Sequence, residues 1–184
     1  AADEAVGVDE DDGRGLLRNL RDALPPADAP LNTALSDQLI RAGTAVGLLA
    51  NADLVPERCQ TLMLLAERLN SAAQRGAALR LAQRAHRLAA SNELLPELRL
   101  CSSGMSILLR EAGAPHHALP YALQAIEIAR ELGDAVAEAR GLINASSALH
   151  EQGKHGEAIR LASSALRLRG LPAKVQAGAY TMIL

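Results

Sequence analysis

Aromatic residues are almost absent from this chain, which has two Tyr and no Phe or Trp among its 184 residues. Apolar residues nevertheless make up 49% of the sequence, so the core must be built largely from Ala and Leu. A core of this kind suits helices that approach one another closely, and it has little β propensity. The composition therefore favours an all-α protein.

A large excess of one sign of charge is also missing, because 19 basic and 21 acidic residues leave a net charge of only −2 at pH 7. It is unevenly distributed: the first twelve residues hold six acidic side chains and no basic one, which leaves 15 acidic against 19 basic residues, or +4, in the rest. That excess is too small to predict a nucleic-acid partner, and stacking aromatics are missing as well. Because short acidic segments are typically disordered and solvating, residues 1–13 are predicted to form an acidic disordered tail.

Cysteines and long apolar runs are few. Cys59 and Cys101 cannot make a disulfide framework or a metal site by themselves, so we expect two reduced, buried thiols in a cytoplasmic protein. The longest apolar run without a charge, residues 42–52, is too short to span a bilayer, and no signal peptide is visible. We expect no membrane contact. Because the sequence lacks an initiator Met, we also expect it to be a piece of a longer protein.

Motifs for catalysis are missing too, since there is no phosphate loop, Gly-rich dinucleotide turn or nucleophile elbow. His150 and His155 are five residues apart with Gly153 between them, whereas the zinc-binding helix motif needs two histidines four apart on one face. His116 and His117 are adjacent and diverge by about 100° on a helix. The sequence therefore predicts that this segment is not an enzyme and binds no metal or cofactor.

The chain does contain an alanine pattern that occurs three times at a spacing of 40 residues. In each copy, alanines lie at positions i, i+4 and i+7, starting at Ala78, Ala118 and Ala158. Alanines at this spacing share one helix face and let a neighbouring helix approach closely. Three copies at a constant period indicate a repeat array. We interpret the alanines as a packing seam that carries no binding chemistry.

Prolines and glycines divide the chain into helix–turn–helix repeats. Pro56 and Pro96 stand 40 residues apart and suit the first turn of a helix, while Gly113 and Gly153 suit turns within repeats. The prediction is an all-α fold, an α-solenoid of antiparallel helix–turn–helix repeats. Its parts are the tail, a degenerate capping helix pair, three repeats and the first part of a further repeat helix: residues 1–13, 14–52, 53–92, 93–133, 134–172 and 173–184.

These repeats resemble the tetratricopeptide repeat family over about residues 56–169. The resemblance rests on the alanine pattern, the turn glycines and a small residue midway along the first helix of each repeat, which is Ala66, Ser106 or Ser146. The period of 40 exceeds the usual 34, and leucine or serine stands where large aromatics are common. The longer form is similar to a variant of bacterial signalling proteins and transcription regulators, including segments fused ahead of diguanylate cyclase domains.

The resemblance implies a right-handed superhelix whose concave groove, lined by the first helix of each repeat, binds a protein or an extended peptide. A carboxylate clamp is not expected, because only Asn144, Arg110 and Arg140 are suitable groove residues. Carried over position by position, the groove residues are Gln60, Met63, Leu64, Glu67, Asn70, Leu100, Ser103, Ile107, Arg110, Arg140, Ile143, Asn144, Ser147 and His150.

Two further interpretations stay open. The segment is alternatively a regulatory or sensory part of a larger bacterial signalling protein, in which helix stacking controls an output domain such as a diguanylate cyclase. It is also a candidate homodimer through exposed terminal helices, where Leu161, Leu168, Met182 and Ile183 provide an apolar face. The gene sequence beyond Leu184 would distinguish an adaptor from a sensor.

Overall fold

The computed structural model of the chain describes residues 10–26, 29–49 and 52–183. Within those ranges the regular secondary structure is entirely helical and contains no β-strand, so the predicted all-α fold of packed helix–turn–helix repeats is confirmed. Residues 1–9 of the predicted tail lie outside the described residues. The helices are α1 (Glu10–Asp22), α2 (Thr33–Leu48), α3 (Val55–Ser71), α4 (Arg75–Ser91), α5 (Leu95–Glu111), α6 (Pro115–Glu131), α7 (Ala135–Glu151), α8 (His155–Leu166) and α9 (Ala173–Tyr180), with a 3-10 turn at Ala52–Leu54.

Five consecutive helices, α3 to α7, have the same length of 17 residues. Each ends in a three-residue connection whose middle residue has a positive φ, and these residues are Ala73, Glu93, Gly113, Gly133 and Gly153. The residue after each of them donates its N–H to the carbonyl five positions earlier, at 2.8 to 3.1 Å. This is the Schellman arrangement that closes a helix C-terminus. The 40-residue sequence period is therefore two helix-and-turn units of 20 residues.

The chain forms two compact units, Ala1–Glu97 and Leu98–Leu184. In the first unit, α3 and α4 pack as an antiparallel pair, and the alanines of α4 at positions 78, 82 and 85 are completely buried in it. Helix α2 packs on this pair after Asn32 caps its N-terminus, where the Leu35 N–H donates to Asn32 Oδ1 at 2.8 Å. Helix α1 packs on α3. The alanine seam is thus a core feature of this unit.

In the second unit, α7 packs against α6, α8 and α9. A buried cluster joins these helices, and it includes Ala122, Ile126, Leu142, Ala165 and Val175. The two backbones of α6 and α7 approach closely at Gly141, where a Cβ atom would lie 2.7 Å from Ile126 Cγ1. Helix α9, which the sequence suggested only as an incomplete repeat, contributes Val175 and Ala179 to the same core.

Two element boundaries differ from the sequence prediction. Helix α1 begins at Glu10, so residues 10–13, which were assigned to the disordered tail, are helical. Helix α8 ends at Leu166, three residues before the end of the stretch, about residues 56–169, that resembles the tetratricopeptide repeat. None of the described helices combines the length and the apolar character needed to cross a bilayer.

Candidate functional site

In the first unit, the predicted groove residues lie on α3 and are not equally accessible. Met63 is only 2% exposed and packs inside the unit, whereas Leu64 is 39% exposed. Leu64 and Glu67 line a cavity of about 300 Å³ together with Arg21, Leu24 and Pro25 from the end of α1 and the following turn. Helix α1 therefore flanks the face of α3 that the sequence predicted to be open.

Among the described residues that line this cavity, Glu67 is the one acidic group. Glu67 as a whole residue is exposed to solvent, but partial burial of its carboxyl raises the pKa of Glu67 above its ordinary value. The neighbouring Arg68 lines the same cavity, and its guanidinium donates to the Ala29 carbonyl at 3.0 Å and to Ser71 Oγ at 3.1 Å. Gln60 and Asn70 are partly buried on the same helix.

In the second unit, polar groove residues connect α5 to α7. Asn144 Nδ2 donates to Ser103 Oγ at 3.3 Å, and Arg110 forms an ion pair with Glu151 at 2.7 Å. These contacts engage one donor of each predicted ligand-binding side chain within the protein. They also link α5 to α7 across the predicted groove surface.

A cleft of about 520 Å³ lies between α7 and α9, and we call it the α7–α9 cleft. Three predicted groove residues line it, namely Arg140, Ile143 and Asn144. The opposite side comes from residues that the sequence reasoning missed: Pro172, Lys174, Val175 and Gly178. They were missed because α9 carries no alanine pattern. The Gly170-Leu171-Pro172 break before a short apolar segment was the only available signal.

The floor of the α7–α9 cleft is apolar and well supported. Val175 is 6% exposed and belongs to the buried cluster of the second unit, and Ile143 packs against that cluster. Gly178 faces Ile143, and a Cβ atom at residue 178 would lie at an ordinary contact distance of 3.6 Å from Ile143 Cδ1. The Ser147 hydroxyl is within hydrogen-bonding distance of the Ile143 carbonyl at 3.0 Å and of Met182 Sδ at 3.4 Å.

The rim of the α7–α9 cleft is cationic. Arg140 and Lys174 are both exposed, and neither has an ion-pair partner among the residues that the structure describes. Asn144 donates to Ser103 and also lines the cleft, and its side-chain carbonyl oxygen is a hydrogen-bond acceptor. The cleft thus combines two cations, one amide and an apolar floor. Such a combination suits a ligand that carries a carboxylate next to an apolar group.

The remaining predicted residues lie outside this cleft. Leu100 and Ile107 are each 36% exposed on α5. His150 lies at the end of α7, and its Nδ1 atom is 3.1 Å from Nδ1 of His155, with the two rings edge to face. Gly153 breaks the helix between these histidines as the sequence predicted, and the turn at residues 152–154 folds α8 back onto α7, so that the two rings meet. Within the described ranges, no group of three His, Cys, Asp or Glu side chains is placed to hold a metal ion.

Comparison with known proteins names no relative: no family model matches the chain, and no curated protein matches it. The assignment to the tetratricopeptide repeat family therefore stays a prediction. It rests on the alanine pattern, the small residues of the first helices and the helix-and-turn geometry described above.

Proposed function

We propose that this chain is a protein-interaction module that binds a peptide segment of another protein in the α7–α9 cleft. The observation that carries the proposal is the convergence of predicted and unpredicted residues at one place. Arg140, Ile143 and Asn144 were expected to face a ligand, and they line a cleft of about 520 Å³ with Lys174 and Val175. A volume of this size is within the range of ligand sites in proteins.

The chemistry of the lining indicates what kind of segment binds. An apolar side chain would pack on Val175 and Ile143, while an adjacent Asp or Glu carboxylate would contact Arg140 and Lys174. Charge-assisted hydrogen bonds from a guanidinium to a carboxylate are about twice as strong as neutral ones. The Asn144 amide is suited to accept from a peptide N–H, as in other modes of extended-peptide recognition. We therefore expect an acidic residue beside an apolar one in the ligand.

The cellular setting that we propose is the cytoplasm. Cys59 and Cys101 are both buried and form no disulfide bond within the described residues, and reduced thiols are typical of reducing compartments. A module of this kind would act by binding a partner protein, and the identity of that partner would determine the pathway in which the module acts.

A binding selection with defined peptides tests the proposal. The purified chain is screened against arrayed synthetic peptides of varied charge, and the affinity of the selected peptides is measured by fluorescence polarisation. We expect selection of acidic–apolar sequences. Reversal of the rim charge by Arg140→Glu with Lys174→Glu should weaken binding by about tenfold or more, since two charge-assisted contacts become repulsive.

The matched control is the pair Arg160→Glu and Arg169→Glu, which reverses the same number of charges at exposed positions outside the cleft. This variant should bind the selected peptides as the wild type does. Equal losses in both double variants would show that only the overall charge matters. An array without any selective binding would refute a peptide-binding cleft.

A further inference from the structure

Four arginines of the first unit converge where α4 packs beside α2. Arg80, Arg84 and Arg87 follow one another at i, i+4 and i+7 on α4, so they share one helix face. They line a cavity of about 250 Å³, and Arg84 and Arg87 also line a second cavity of about 510 Å³ that includes Arg58 of α3. We call these four residues the arginine cluster.

No carboxylate among the described residues offsets the arginine cluster. The other residues of the described lining are neutral, and they are Ile40, Thr44, Gly47, Ala77, Leu81, Gln83, Leu88 and Ser91. Arg80, Arg84 and Arg87 form no ion pair with any residue in the described part of the chain. Like charges this close repel one another, and an anion placed between them would remove that cost.

Arg58 is held in a fixed position within the cluster. It is 6% exposed, and its guanidinium donates to the carbonyls of Val46 and Gly47 at 3.2 and 2.9 Å. These carbonyls are at the C-terminus of α2, where the helix dipole places partial negative charge. Burial is the main cause that lowers the pKa of Arg58; the nearby Cys59 raises it, and the Arg84 charge lowers it. The Arg58 charge is therefore supported by backbone carbonyls without a carboxylate.

Gly47 positions a second guanidinium beside Arg58. A methyl group at residue 47 would collide with the Nε and Cζ atoms of Arg84, so the Arg84 guanidinium lies directly on the Gly47 backbone. Only a residue without a side chain permits this approach. The last turn of α2 thus carries two guanidiniums, one bonded to its carbonyls and one lying on its backbone.

We propose that the arginine cluster binds a small molecule that carries at least two linked phosphate groups. Guanidiniums donate two parallel N–H groups to phosphate oxygens, which suits several arginines to one polyphosphate. Arg84 and Arg87 border both cavities, so a diphosphate has donors on each side. The described lining contains no aromatic ring on which a base would stack. Recognition is therefore centred on the phosphates, and it is independent of the peptide cleft in the second unit.

Isothermal titration calorimetry of the full chain with sodium pyrophosphate tests this site. Orthophosphate and adenosine diphosphate are titrated in parallel at equal ionic strength. We expect saturable binding of one pyrophosphate, with orthophosphate weaker and adenosine diphosphate no tighter. Arg84→Ala should weaken pyrophosphate binding about tenfold, since it removes a charge-assisted contact. Gly47→Ala should weaken it as well, because the new methyl group displaces the Arg84 guanidinium.

Arg160→Ala is the matched control, since Arg160 is an exposed arginine of α8 outside both cavities. It should leave pyrophosphate affinity unchanged. A melting experiment gives a second measurement: pyrophosphate should raise the Tm of the wild type and not that of the Arg84→Ala, Arg87→Ala double variant. Three results would each overturn the proposal: no saturable pyrophosphate binding, equal affinity for orthophosphate, or binding that survives in the double variant.

Discussion

Replacing Ala73 by glycine should stabilise the protein, because Ala73 closes α3 in a left-handed conformation. Its φ is 60°, while the equivalent positions after α5, α6 and α7 have φ values of 78°, 67° and 78° and carry glycine. The Ala73 N–H donates to the Asn70 carbonyl at 2.9 Å, and the next N–H donates to the Leu69 carbonyl at 2.8 Å. Glycine keeps both of these bonds and removes the strain of the Cβ atom.

The expected magnitude follows from two opposing contributions. A left-handed conformation costs an L-residue about 1–2 kcal/mol relative to the right-handed one. Glycine loses part of this advantage because it makes the unfolded chain more flexible, by about 0.4–1 kcal/mol. The net gain in the free energy of unfolding should be about 0.5–1 kcal/mol. For a chain of this size, that gain corresponds to an increase in Tm of roughly 1–4 °C.

The assay is urea and thermal denaturation of every variant, followed by far-ultraviolet circular dichroism, which reports the helix content. The control is Ala72→Gly, since Ala72 precedes Ala73 and has an ordinary φ of −88°. This control should destabilise the protein, because it adds flexibility to the unfolded chain without relief of strain. The reasoning about the turn is refuted if Ala73→Gly lowers the urea midpoint as Ala72→Gly does.

Three further predictions use the same denaturation assay. Ser146→Ala should lower the free energy of unfolding by about 1 kcal/mol, because the Ser146 hydroxyl donates to the Ala158 carbonyl at 2.8 Å. Ser106→Ala should leave that free energy unchanged or raise it, because the buried Ser106 hydroxyl has no partner among the described residues. Equal losses of stability in the two variants would contradict this reasoning. Gly141→Ala should cost about 1–3 kcal/mol through its collision with Ile126, while Gly156→Ala, which has open space, should not destabilise α8. Because burial raises the pKa of Glu67, its contribution to stability is present at low pH and is lost as the pH rises through that pKa. Glu67→Gln should therefore raise the Tm at neutral pH relative to the wild type, and a Tm difference that does not change with pH would contradict the assignment.

The helices and their register could be predicted from the sequence because their signals are local. The alanines at 78, 118 and 158 repeat every 40 residues, and all three are buried in the structure. Aspartate is a residue type that favours helix N-caps, and the Asp134 carboxylate accepts from the Ala137 N–H at 2.9 Å at the start of α7. Such patterns depend on helix geometry and capping alone, which neighbouring residues determine.

The turns show where local signals end. Gly113 and Gly153 could be recognised as turn residues from the sequence. Ala73 and Glu93 occupy the same left-handed position, but neither is a glycine, so the sequence did not indicate a left-handed residue there. The packing of the flanking helices holds these two residues in a conformation that their own preferences disfavour. The 20-residue spacing of the turns therefore becomes visible only when the backbone is known.

The candidate sites divide in the same way. The sequence determined that Arg140, Ile143 and Asn144 share a helix face, and that Arg80, Arg84 and Arg87 share another, because a helical period fixes which side chains are neighbours. Only the tertiary structure decided that Val175 and Lys174 complete a cleft with the first set, and that Arg58 joins the second. It also buried Met63, which the resemblance to the tetratricopeptide repeat family had placed in the groove. Contacts between segments distant in sequence depend on how whole helices pack, and no local pattern specifies them.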